Sequence, residues 1–419
     1  MHRLLPVILF LTFAPTAAAE EPKPPAFPAT DWPWWRGANR DGLAAPDQKP
    51  PLKWSETENV QWKAAVPGRG HGAPIVVGDR VFLTAADESQ WLLCFDRKTG
   101  AELWRHEVHR GEVVPKGSPN NGKASYASCT PACDGERVIV NFLNANAISA
   151  TAVSLEGKRL WQTKVTDYTL HQGFGSSPAI YKSLAIVSAD NKGTGVIAGL
   201  DRASGKIVWT KSRPKLPNYA SPVIHTIDGK DQLLFIGCDL VTSLDPLTGK
   251  ELWETKGATT ECVTSTVTDG KLVFTSGGYP KDHVSAVHAD GSGKLAWENK
   301  TRVYVPSMWV RKGHLFAVTD NGSAVCWKSE SGQEVWKEPL GGVFTASPVP
   351  VGDLVFATSE SGKTYVFKAT PTEFELVAAN KLGDEMLATA TICGDRIYLR
   401  VAFKKNGKRE EMLYCIGAK

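Results

Sequence analysis

The chain of 419 residues has almost no excess charge and no long apolar run. Its 48 Lys and Arg stand against 44 Asp and Glu, a balance that excludes the basic surface a nucleic-acid partner requires. The apolar stretch Leu4 to Phe13 falls well short of the roughly 18 residues a membrane-spanning helix needs, and no later segment reaches that length. No Gly-x-Ser-x-Gly elbow occurs, which leaves an esterase-type nucleophile without support. Gly68-Arg69-Gly70-His71-Gly72 is glycine-rich but lacks Gly-Lys-Ser/Thr, so it reads as a flexible strand entrance and not a phosphate loop. His106 and His109 fall on one strand, where odd spacing sends them to opposite faces, and no metal site is expected there.

The first residues read as an export signal. Met1-His2-Arg3 is weakly basic, Leu4 to Phe13 is apolar, and Ala17-Ala18-Ala19 before Glu20 forms a small-residue cleavage site. Residues 1–19 are therefore expected to be a signal peptide cleaved near Ala19, giving a periplasmic or secreted protein. No cysteine lies near that point, so a lipid anchor is not expected. Cleavage would remove Arg3 alone among the charged residues, leaving 47 basic against 44 acidic. Eight cysteines in an exported chain invite a disulfide reading. Cys129 and Cys133, however, are four apart on one strand, about 13 Å at extended rise and too far to bridge. Buried single thiols are expected, with Cys238 and Cys262 left open as a pair.

What the chain does have is a repeat. Trp104, Trp161, Trp209, Trp253, Trp297 and Trp336 each close a stretch of the kind Asp96-Arg97-Lys98-Thr99-Gly100-Ala101-Glu102-Leu103-Trp104. Their spacing, from 57 residues down to 39, is that of a four-stranded propeller blade. The aspartate accepts backbone N–H groups in a turn, the glycine supplies positive φ, and a strand lies on either side. The tryptophans are expected on the outer strands as packing between blades.

Eight inner-strand starts follow in order at Ala73, Thr130, Ser177, Ser221, Ser265, Met308, Ser347 and Thr389. The seventh repeat shows Val377 in place of its tryptophan, and the eighth ends at Tyr414-Cys415-Ile416, one strand short. The isolated strand around Trp62 supplies that strand and closes the ring. The expected fold is an all-β, eight-bladed propeller over residues 58–419, with seven blades as the alternative. Residues 20–57 form a Pro/Trp-rich arm in which Trp32, Trp34 and Trp35 sit within four positions. The arm is expected either to dock on the propeller or to cap a ligand or partner.

The Asp-x-x-x-Gly-x-x-x-Trp stretches, with Thr99-Gly100 and Thr248-Gly249, resemble the PQQ-like propeller repeat of quinoprotein alcohol dehydrogenases and of BamB, the outer-membrane β-barrel assembly lipoprotein. The arm, Tyr126-Ala127-Ser128 and Gly173 to Pro178 are similar to exported PQQ-like propellers of planctomycete-type bacteria. Resemblance to the dehydrogenases implies pyrroloquinoline quinone (PQQ), a calcium or lanthanide ion, an aspartate base and a disulfide of adjacent cysteines. No two cysteines are adjacent here, and the chain is short for those enzymes. PQQ is not favoured, and no catalytic, cofactor or metal residue is assigned.

The expected function is a non-catalytic binding or assembly scaffold for envelope proteins. A PQQ-dependent redox enzyme or sensor, or a glycan or peptide binding module, are the alternatives. Contacts are expected from loops that join one blade's outer strand to the next blade's inner strand: Arg69, His71, Lys116 to Tyr126, Tyr168, His171, Phe174, Asn218, Tyr219, Glu261, Arg302, Tyr304, Phe344 and Glu385. Thr130, Ser177, Ser221, Ser265, Ser347 and Thr389 are expected to ring the channel.

Overall fold

The computed structural model describes residues 25–113 and 123–418; the expected signal peptide, its cleavage point at Ala19 and the connector residues from Lys116 to 122 lie outside the described residues. The chain forms eight antiparallel sheets of four strands each, one after another in sequence. Inner strands of neighbouring blades touch around the ring, the first against the eighth included. The last blade is made of Thr391–Cys393, Arg396–Lys405 and Lys408–Gly417, and Val60–Val66 adds its outer strand with Trp62 opposite Cys415. The two ends of the propeller thus share one sheet and leave no open edge at the seam.

Each blade is folded by its own turn. The Asp96 carboxylate accepts the Lys98 and Thr99 N–H groups and the Thr99 hydroxyl, and Gly100 completes the reversal at φ 74°. These bonds, the Thr99 hydroxyl first, hold the Asp96 carboxyl below its ordinary value. Asp201 with Ser204, and Asp245 with Thr248, repeat the arrangement.

The tryptophans join one blade to the next. Six of the rings lie against the turn glycine of the following blade, so closely that a Cβ on Gly100 would come within 2.5 Å of the Trp62 ring, and one on Gly249 within 2.3 Å of Trp209, while Trp336 meets a turn without glycine and packs on Phe374 at 5.8 Å. Gly157, Gly205, Gly291 and Gly332 meet Trp104, Trp161, Trp253 and Trp297 in the same way. The indole N–H donates to a carbonyl of that turn in five cases: Trp62 to Arg97, Trp104 to Leu155, Trp161 to Arg202, Trp297 to Ser329 and Trp336 to Thr370. The turn glycine therefore has two duties, positive φ and room for a neighbour's indole.

The seventh blade corrects the sequence reading. Its outer hairpin is two residues longer than that of the sixth blade, Val366 facing Ala378 where Cys326 faces Trp336, so Ala378, not Val377, holds the tryptophan position, and Val377 is exposed. The missing ring comes from the arm. Trp54 is buried and stacks on Phe356 at 6.3 Å, the residue equivalent to Phe316 and Phe274, which carry Trp336 and Trp297 at 6.0 Å. Its backbone N–H is held by the Asn380 side chain. A bulge opposite Gln90 and Trp91 resets the strand carrying His106 and His109, so both rings face the second blade at Gly157 and Phe142 instead of opposite sides. The eight cysteines are buried, unbonded thiols, and burial raises the Cys94 and Cys393 thiols to about 12. Among the described residues no helix is long and apolar enough to cross a membrane.

Trp161→Ala should lower the unfolding free energy by about 3–5 kcal/mol, because it leaves a cavity over Gly205. Leu160→Ala, at the half-exposed neighbour, should change it by no more than about 0.5 kcal/mol. Urea denaturation of both variants checks the pair.

Candidate functional site

The inner strands line a central channel, and hydrogen bonds join their leading residues at six of the eight blade junctions. The Ala73 N–H donates to the Thr130 hydroxyl at 3.0 Å, Thr130 to Ser177 at 2.9 Å, and Ser177 to Ser221 at 2.9 Å. Farther round, Ser265 donates to Ser307, Ser307 to Ser347 and Ser347 to Thr389. The sixth blade takes part through Ser307, one residue before the expected Met308, whose side chain is buried in the core. These hydroxyls accept a neighbour's N–H, so their first role is to tie blade to blade.

The arm closes one end of this channel. It crosses the face that carries the turns after the inner strands, with Trp32 paired to Val76 and the Pro33 carbonyl accepting the Cys133 N–H. Arg40 donates to the Ile180 carbonyl, Arg36 to that of Met308, and Ala44 bridges to Val351. The Lys49 N–H reaches the Asp395 carboxylate. From this strap the Trp35 indole donates to the Ser265 hydroxyl at 2.8 Å and forms part of the lining of the space above. The channel is a blind well.

The well has a volume of about 600 Å³ and opens among the connectors of the opposite face. Of the expected contact residues, His71, Lys123, His171, Phe174, Tyr219, Glu261, Arg302 and Tyr304 line it. Others do not, and four of them show why. Arg69 and Glu385 are drawn into a network with Arg409 and Lys404. Phe344 is turned into the core against Tyr365 at 6.1 Å. Tyr126 packs partly buried on the core between the first two blades, its carbonyl accepting from Gln90. Trp35, Tyr279, Gln172 and serine and threonine hydroxyls such as Ser128 and Thr345 also line it. The Trp-Trp-Arg run was the only sequence signal for Trp35, and it does not tell docking from lining.

The electrostatics centre on Glu261, which is 5% exposed. Tyr304 donates its hydroxyl to the carboxylate at 3.2 Å, and His171 Nδ1 lies 3.6 Å from the other oxygen and 3.3 Å from the Tyr219 hydroxyl. Burial, with Lys192 next, holds His171 below its ordinary value, and burial followed by the Glu261 charge raises Tyr219 and Tyr304. At neutral pH the histidine is uncharged and both phenols keep their protons. His71 is also held neutral, by burial and then by Arg69, and its Nε2 has no hydrogen-bond partner.

A quinone held with a hard metal ion does not fit this lining. Calcium takes several oxygen ligands, commonly with more than one carboxylate; among the described residues of the lining Glu261 is the single carboxylate, joined by the neutral Gln172 amide and by serine and threonine hydroxyls. Among the described residues no three His, Cys, Asp or Glu come together to hold a metal.

Eight blades stitched by tryptophan on glycine around a central well define the PQQ-like class of propellers. The chain belongs to that family: the family described as outer membrane protein assembly factor BamB matches residues 40–169, 89–338 and 280–374. A polyvinylalcohol dehydrogenase of a Pseudomonas species is 29% identical over 184 residues, covering 40% of this chain and 26% of the dehydrogenase. The chain thus spans about a quarter of that relative's length. The quinohemoprotein alcohol dehydrogenase from Comamonas testosteroni shares the fold with a TM-score of 0.67 at 12% identity, over 93% of this chain and 81% of that one. BamB from Moraxella catarrhalis does so with a TM-score of 0.59 at 13% identity, over 85% and 99%.

The arm also sets a pH response. His225, on the inner strand of the fourth blade, is held at about 4 by burial, with Arg36 and Arg40 of the arm adding repulsion. In the unfolded chain the same group takes its proton near 6.5. Unfolding therefore binds a proton between those values, and stability falls as pH drops from 6.5 toward 4, by up to about 3 kcal/mol for this residue. His225→Asn should make the decline in melting temperature between pH 6.5 and 4.5 shallower, as calorimetric scans would show.

Proposed function

We propose that the protein is an exported, non-catalytic binding scaffold of the cell envelope that receives part of a protein partner in its blind well. The observation that carries this reading is the lining: aromatic rings and neutral histidines around one carboxylate, with no second carboxylate among the described residues to share a metal ion. Family membership with BamB supports it, since that name describes an assembly factor. Loops on a rigid ring suit such a role, because the scaffold bears the stability and the connectors are free to vary.

A redox reading has its own support in the relatives named dehydrogenases. The two readings separate in one titration. The scaffold reading expects no calorimetric heat from PQQ at tens of micromolar, with or without calcium. Saturable binding near one equivalent would favour the dehydrogenase-like reading. On the positive side, affinity capture from an envelope extract should recover a discrete protein with the wild type. The variant carrying His171→Ala, Tyr219→Ala and Tyr304→Ala should lose it while keeping its melting temperature. Recovery unchanged in that variant would remove the well from the proposal.

A further inference from the structure

The charges around the well are unevenly matched. Lys123 is paired with Glu360 at 2.8 Å, and Arg302 with Asp282 at 2.8 Å. Each cation of the lining thus has a carboxylate of its own. Among the described residues Glu261 has none: its neighbours are the Tyr304 hydroxyl and an imidazole that burial keeps neutral. A carboxylate 5% exposed and facing a cavity without a counter-charge is costly, and a ligand cation would relieve that cost.

The surroundings say which kind of cation. Tyr304 and Tyr219 touch Glu261 and its histidine, and the Glu261 and Tyr279 backbones are bridged. Two phenols, Tyr304 and Tyr219, thus stand about the carboxylate and its histidine, with Tyr279 and Phe174 also in the lining. Aromatic faces attract ammonium and guanidinium groups, whereas a hard metal ion is commonly held by more than the one carboxylate that the described wall offers. Arg302 already lies over the Tyr304 ring at 5.3 Å, so this wall holds one guanidinium–ring contact in the protein itself. At about 600 Å³ the well is within the usual size of a ligand site, about 300–1,000 Å³.

We infer that the well is a receptor for a cationic side chain: an arginine or lysine of a protein partner enters it, pairs with Glu261 and is flanked by Tyr219, Tyr279 and Tyr304. The inference rests on the scaffold reading and names what the partner brings. Arginine anchors dominate many protein interfaces, and burial beside a carboxylate and aromatic rings is the setting in which they do so.

The test is calorimetric titration of the full chain with the acetylated, amidated tripeptides Gly-Arg-Gly, Gly-Lys-Gly and Gly-Gln-Gly. Saturable binding of the two cationic peptides is expected, at least about tenfold tighter than the glutamine peptide. Glu261→Gln, with unchanged melting temperature, should remove that preference, and Glu261→Asp should retain part of it. Equal affinity for all three peptides, no binding, or a preference that survives Glu261→Gln would overturn the inference. So would saturable uptake of calcium that depends on Glu261, since it would make this a metal site. Envelope capture separates the two levels. A partner still held by Glu261→Gln removes the cation site and leaves the scaffold. A Glu261-dependent peptide isotherm with no partner captured keeps the cation site and removes the scaffold.

Discussion

The contact on which the fold depends is an indole laid on a glycine. Within a blade, backbone hydrogen bonds hold four strands together, but they do nothing to join one blade to the next. That join is made where a tryptophan from one outer strand covers the turn glycine of the following blade and donates its N–H to the same turn. A side chain on the glycine would collide with the ring, and a smaller residue in place of the tryptophan would open a gap near the circumference. The hydroxyl bonds at the channel are the inner counterpart of this outer seam. A wedge-shaped blade needs filling at its wide end and close approach at its narrow one, and the two residue classes meet those needs.

The arm belongs to the same design. Ala378 leaves one seam short of its ring, and Trp54, more than 300 residues away in sequence, stacks on Phe356 in its stead. Where the arm crosses the channel, Arg36 and Arg40 donate to carbonyls of distant blades and Trp35 reaches Ser265. The segment therefore completes the seam between the seventh and eighth blades and turns an open channel into a closed well. Its tryptophans bury apolar surface that would be costly in water, which is why a segment without strand periodicity is nevertheless held in place.

The repeat, the eight blades and the closure by the strand around Trp62 are readable from the chain because each rests on a local pattern: an Asp-to-Gly turn, an alternating strand, an indole at fixed distance. Misreadings arise where the local spacing departs from that pattern. Val377 for Ala378 follows from a hairpin two residues longer than that of the sixth blade, and the opposed faces expected for His106 and His109 fail at a bulge. The site is less legible. Many of the expected residues share the well, but Arg69 and Glu385 find partners in each other's network, and Phe344 finds the core. Loop position alone does not determine which way a side chain turns; that depends on charges and rings brought in from other blades. Trp54 and Trp35 were beyond reach for the same reason, since their partners are fixed only once the ring has closed.

Family membership constrains the seams and leaves the connectors free. Solved relatives at 12–13% identity share the ring, which is what a stitched architecture permits: the turn and the indole carry the fold, and nearly everything facing the channel mouth can change. The well in this chain is nevertheless not independent of its scaffold, because its closed end is Trp35 and Trp35 is held by the arm. A ligand that binds only while the strap is seated stabilises the seated strap by the same free energy. The arm, which supplies the closed end, is as much a part of the well as the loops that surround its opening.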